Sequence, residues 1–192
     1  MGNKELLFEI ADRQQGYFTS REAEECGYHR SHFQRYIASG EWRKELRGVY
    51  RLARYPITDR PELVIWNLWS RDRRGNAQGV WSHETALDIY ELSDVMPSKM
   101  HMTVPKHFRK GIAIPKVLML HFADLKEEEI RHQQGYHITT PIRTLIDIVS
   151  DRRLSDELIV QAIRDALKVG LISRHELNAH TELKRFSNDY NL

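Results

Sequence analysis

Three groups of residues in this chain have side chains and spacings that could do chemistry. The first is a run of cations. Between His29 and Arg54 stand seven basic residues (Arg30, Arg35, Arg43, Lys44, Arg47, Arg51 and Arg54) against two acidic ones, Glu41 and Glu45. Residues 57 to 192 hold nineteen of each sign, so the net charge of +2 is a local excess. Positive charge gathered on so short a segment suits phosphate binding, because each neutralised phosphate releases condensed counterions. The second group is histidine. His101, His107, His121, His132 and His137 could supply a metal site if three of them converged, but they fall on different predicted elements, and the expectation is scattered side chains without a metal. His83-Glu84 lacks the second histidine of a zinc-protease helix, and His29-x-x-His32 has no cysteine or further histidine at ligand spacing. The third group is acid–base pairs. Arg143 and Asp147 sit i, i+4 on one predicted helix and can form an ion pair, while Glu182-x-Lys184 resembles a nuclease fragment without its upstream aspartate. These residues define no catalytic set and no cofactor site.

The cationic run depends on the elements that display it. Leu6, Leu7, Ile10 and Ala11 recur at helical spacing, and Gly16 can end that helix in a left-handed conformation. Thr19 followed by Glu22 is a capping box, predicting a short second helix over Ser20 to Cys26, closed by Gly27. Cys26, the chain's one cysteine, reads as a small buried hydrophobe and cannot form an internal disulfide. Ser31 then caps a third predicted helix in which Phe33, Tyr36 and Ile37 form the apolar stripe, leaving Arg30, His32, Gln34 and Arg35 on the other faces. After Gly40, residues 41 to 51 read as two short strands around a turn at Arg47-Gly48. Two helices joined by a glycine turn and followed by a basic hairpin predict a winged helix-turn-helix. In that arrangement Arg30, Ser31, His32, Gln34 and Arg35 reach the bases of double-stranded DNA, while Arg43, Lys44, Arg47 and Arg51 hold its phosphates or minor groove.

The remainder predicts a mixed α/β region. Residues 54 to 58 form a linker, Asp59 and Glu62 flank Pro61 at a helix start, and Trp66 and Trp69 read as core residues. Ser82 caps a helix beginning His83-Glu84. Strands fall at 100–104, 117–122 and 136–139, and helices start at Thr140-Pro141, Ser155 and Ser173. The expected fold class is α+β: a winged helix-turn-helix over 1–56, a C-terminal domain over 57–185 with a small sheet and several helices, and a frayed tail over 186–192. With 41% apolar and 29% charged residues, no long apolar run and no signal-like N-terminus, the expectation is a soluble, cytoplasmic chain without a membrane partner.

The segment from Gly27 through His29-Arg-Ser-His32 to Gly40, with Leu46-Arg-Gly-Val-Tyr-Arg51, resembles the N-terminal domain of AbiEi-type antitoxins of bacterial type IV toxin–antitoxin systems. Ser82-His-Glu-Thr-Ala-Leu87, the Met100-to-Pro105 strand and Thr139-Thr-Pro-Ile-Arg-Thr-Leu-Ile-Asp147 are similar to the region that follows it in that family. The resemblance implies a DNA-binding autorepressor of its own promoter; a homodimer on DNA is a separate expectation, and the residues leave the oligomeric state open. It also implies a C-terminal domain that counters a nucleotidyltransferase-type toxin. The expectation of no enzyme activity comes from the residues themselves, which offer no catalytic set. The toxin would be a functional partner whether or not it is bound directly. His83, Glu84, Arg143 and Asp147 then mark a C-terminal functional surface. The alternative is a stand-alone winged-helix regulator whose C-terminal part senses a ligand or dimerises.

Overall fold

The computed structural model describes residues 2–192, which divide into two compact units. The first runs up to Gly79 and takes in His132–Tyr136; the second comprises Val80–Arg131 and His137–Leu192.

The first unit begins with α1 (Asn3–Asp12), β1 (Tyr17–Thr19) and α2 (Ser20–Glu25). The capping box is formed as the spacing predicts: Glu22 N donates to Thr19 Oγ1 at 3.2 Å, and Thr19 N donates to Glu22 Oε2 at 2.7 Å. Gly16 has φ 88°, and a β-carbon there would meet the Tyr55 ring, so glycine is required twice over. A 3-10 turn at Arg30–His32 precedes α3 (Phe33–Ala38). Ser31 therefore lies inside the turn and does not cap α3; His32 occupies the cap position without a side-chain bond. The hairpin of β2 (Trp42–Leu46) and β3 (Val49–Leu52) forms as expected, and β1 adds a third antiparallel strand in the order β1-β3-β2.

This sheet is covered on both faces. Phe18, Trp42 and Tyr50 pack with Leu7, Ala11, Ala23, Cys26 and Phe33 from the helices. The alternate residues Tyr17 and Val49 pack with Val64 and Leu68 of α4 (Pro61–Ser70). For that reason the unit does not stop at the expected boundary of 56. Arg71, just past α4, donates to Glu22 at 2.6 Å and to Gln14. Asn67 and Ser70 fix the loop back to Gly79. Residues 132–136 complete the unit: Gln134 Nε2 donates to the Asp12 carbonyl at 2.6 Å, Gln15 Nε2 to the Gln134 carbonyl at 2.7 Å, and Tyr136 packs against the α4 cluster.

A five-stranded sheet in the order β6-β5-β4-β8-β7 is made from β4 (Val80–Trp81), β5 (Met100–Val104), β6 (Leu118–Phe122), β7 (Ile130–Gln133) and β8 (Tyr136–Thr139); all of it belongs to the second unit except residues 132, 133 and 136. The short β4 pairs antiparallel with β5 and parallel with β8, and β5 pairs parallel with β6. Helix α5 (His83–Ile89) follows β4, and α6 (Pro141–Asp151), α7 (Asp156–Lys168), α8 (Arg174–Ala179) and α9 (Thr181–Asp189) follow β8. Leu87, Leu145, Ile148, Ile159, Ile163, Leu177 and Leu183 are at the centre of the helical core. Phe186 belongs to that core as well, and Ser187 is buried, so residues 186–189 of the expected frayed tail are instead the last turn of α9.

Candidate functional site

In the first unit, apolar packing fixes which polar side chains face solvent. Burial of Phe33 sets the rotation of α3, and Trp42 stacks on Tyr36 with ring centroids 4.7 Å apart while meeting Phe33 edge-on at 5.1 Å. With that face buried, Arg30, Ser31, His32, Gln34 and Arg35 are all exposed. On the hairpin, Arg43, Lys44 and Arg47 are exposed too. Among the described residues, Arg35, Arg43, Lys44 and Arg47 have no carboxylate partner, whereas Arg30 bonds Glu24 at 3.0 Å. Unpaired cations flanking a short helix give a surface that can hold phosphates at several points.

Arg51 is different. It is paired across the strands with Arg43 but is only 3% exposed. Its guanidinium lies 3.4 Å from Glu45 Oε1 and donates to the Tyr55 carbonyl at 2.8 Å. The expectation that it holds DNA is corrected: it is an internal brace, on the sheet face that α4 covers further along.

In the second unit, the scattered-histidine expectation fails for two of the five. Strands β5 and β6 run parallel with Thr103 opposite His121, which makes His101 and His121 diagonal neighbours on one face. Helix α5 starts beside them and adds His83. The His83 and His121 rings stack 3.5 Å apart and nearly parallel, and His101 Nδ1 lies 3.1 Å from His121 Nε2. Glu84 Oε2 reaches His101 Nδ1 at 2.6 Å. Ser82 does not cap α5; its hydroxyl accepts from Thr103 Oγ1 at 2.8 Å and lies 2.9 Å from His83 Nδ1. His83 has a φ of 51°, a left-handed conformation that costs a residue with a β-carbon about 1–3 kcal/mol.

Helix α6 supplies the acidic and basic partners. Thr140 caps it by accepting from Arg143 N at 3.4 Å, with Pro141 at the first helical position. Arg143, Asp147 and Asp151 then recur every four residues along one face. Arg143 forms ion pairs with Asp147 at 2.8 Å and Glu129 at 2.6 Å, so the i, i+4 pair read from the sequence is made, in a largely buried setting. Asp147 Oδ2 is buried with no hydrogen-bond partner among the described residues. Burial raises this carboxyl to about 6 even though Arg143 opposes the shift. Burial also lowers His83 to about 3, assisted by His121, and His121 to about 4, assisted by His101. Both imidazoles are therefore neutral over the physiological range. His83, Glu84, Arg143 and Asp147 thus belong to one polar region. The residues that sequence reasoning did not join to it were His101, His121, Glu129 and Asp151. The period-four series on α6 was the available signal for Asp151.

The segment that carries the exposed cations also has a recognisable relative. Residues 5–53 match the family of AbiEi antitoxin transcriptional regulators. The matched segment runs from within α1 through β3, that is, over both helices of the helix-turn-helix and the hairpin after them. No curated protein matches the chain. In fold, the chain is similar to the crystal structure of the RV2827C protein from Mycobacterium tuberculosis, with a TM-score of 0.55 and 14% identity over 97% of this chain and 71% of that one. Among the described residues no helix is long and apolar enough to cross a membrane.

Proposed function

We propose that this protein is a DNA-binding transcriptional autorepressor acting as the antitoxin of a bacterial type IV, phage-defence module against a nucleotidyltransferase-type toxin. One observation carries the reading. The eight exposed donors from Arg30 to Arg47 all lie on the helix-turn-helix and hairpin of the segment that matches antitoxin regulators. Arg30, Ser31, His32, Gln34 and Arg35 read base edges of the protein's own promoter, and Arg43, Lys44 and Arg47 hold the backbone. A homodimer on the operator would double these contacts. The second unit carries the activity that counters the toxin, as a functional and not necessarily a physical partner.

Fluorescence anisotropy with the promoter and with random duplex tests the first half. Preference for the promoter is expected, and Gln34→Ala or Arg35→Ala should reduce it by about 1–3 kcal/mol per lost bidentate contact. Equal affinity for both duplexes refutes the reading. Co-expression of the full chain with an adjacent nucleotidyltransferase gene tests the second half: restored growth is expected, and continued toxicity removes the antitoxin role.

A second reading, a stand-alone regulator whose C-terminal unit senses a ligand or dimerises, draws on a specific observation. The family match ends at residue 53, and the unit beyond it holds a buried polar cluster. Promoter binding without rescue of growth selects this reading.

A further inference from the structure

We propose that His83, His121 and Asp151 form a binding site for a divalent transition-metal ion of the zinc type. One ligand atom from each of the three lies within 4.8 Å of the others. The donor set of two imidazoles and one carboxylate suits zinc, and it leaves at least one coordination position open.

The surroundings are those that such ligands use. His83 Nδ1 is engaged by Ser82 Oγ, which Thr103 also bonds. With Nδ1–H donating to that oxygen, the Nε2 lone pair is left for an ion, the arrangement by which a second shell fixes a ligand tautomer. His121 Nε2 lies 3.1 Å from His101 Nδ1, which is itself 2.6 Å from Glu84 Oε2, so a run of polar contacts reaches the second imidazole from β5. His83 is also held in a left-handed backbone conformation, with φ 51°. His83 is buried, whereas His121 and Asp151 are partly exposed, so an ion can enter from solvent.

Binding requires a defined movement. Ligand atoms at about 2.1 Å from a tetrahedral ion stand about 3.4 Å apart, so the three must close by roughly an ångström. Stacked rings cannot both aim in-plane lone pairs at one ion. The partly exposed His121 ring therefore turns out of its stack on the anchored His83, and Asp151 exchanges its ion pair with Arg153 for the metal.

The test is titration of zinc chloride into EDTA-stripped, dialysed full-length protein by calorimetry, with cobalt chloride as a spectroscopic probe. One equivalent should bind, and cobalt should give the visible absorption of a low-coordinate ion. His121→Ala and Asp151→Asn should each weaken zinc binding about tenfold or more, with circular dichroism confirming the fold and His121→Gln replacing His121→Ala if that variant does not fold. The double variant His29→Ala/His32→Ala should bind as the parent does. The proposal is overturned by no binding, by binding unchanged in both site variants, or by binding that is lost with His29 and His32.

Discussion

The two units of this chain use charge in opposite ways. In the first, α3 and the hairpin turn Arg35, Arg43, Lys44 and Arg47 outward without carboxylate partners among the described residues, a surface that favours a polyanion. In the second, arginine, carboxylates and histidines turn inward and satisfy or strain one another, as in the Arg143–Asp147–Glu129 set and the stacked His83 and His121. An exposed cation costs little to keep and acts through its number. A buried ionisable group costs several kcal/mol to desolvate, so each one affects the fold individually.

The sharpest way to break this contrast is the triple variant Arg43→Ala/Lys44→Ala/Arg47→Ala. Losing three phosphate contacts should reduce the log–log salt slope of DNA binding by about 2.7, which is roughly several-hundred-fold in affinity at 0.1 M salt. Its unfolding midpoint in urea should stay at the parental value; a large loss of stability would show that these cations serve the fold. Arg143→Ala in the second unit should do the reverse. Stranding Asp147 is expected to remove about 3 kcal/mol of stability, read by urea denaturation, with promoter affinity retained.

Arg51→Ala tests the boundary inside the first unit. It should cost about 2 kcal/mol through its lost charged hydrogen bonds while leaving the salt slope intact; a slope reduced by about one unit would return Arg51 to the DNA surface. The buried cluster also predicts a pH dependence in metal-free protein held in EDTA. Between about pH 4 and 6 the unfolded chain carries protons on His83 and His121 that the folded chain lacks, whereas the folded chain carries one on Asp147 that the unfolded chain lacks. The depressed histidines lose stability as pH falls and the raised aspartate gains it. The net difference of one proton should lower stability by about 1.4 kcal/mol per pH unit on acidification. Asp147→Asn should steepen that fall about twofold, and an unchanged slope would contradict the buried setting of Asp147. The smallest effect is expected at Thr19→Ala, about 1 kcal/mol from the lost cap, measurable as a lower melting temperature.

What could be read from the sequence follows the range of the interactions. The Thr19–Glu22 box, the Thr140-Pro141 and Ser173–Glu176 helix starts and the Arg47-Gly48 turn are local, and each formed where its residues indicated. Arg51 was misread because alternation along β3 assigns it a face but does not reveal that the face is covered. Ser31 was misread because a 3-10 turn intervenes where a cap was expected. The histidine cluster was illegible because it depends on the register of two parallel strands and on a helix start from a third place in the chain. The family resemblance marked His83, Glu84, Arg143 and Asp147 without indicating why they should meet.

The residues 132–136 that complete the first unit have a consequence for biosynthesis. The winged helix leaves the ribosome early, but Gln134 and Tyr136 reach it only after most of the second unit's strands have been made. A nascent chain stopped between residues 79 and 132 would carry its helices and wing with the Asp12 carbonyl and the α4 surface uncovered. The first unit would therefore finish packing only late in translation, once residues 132–136 had been made.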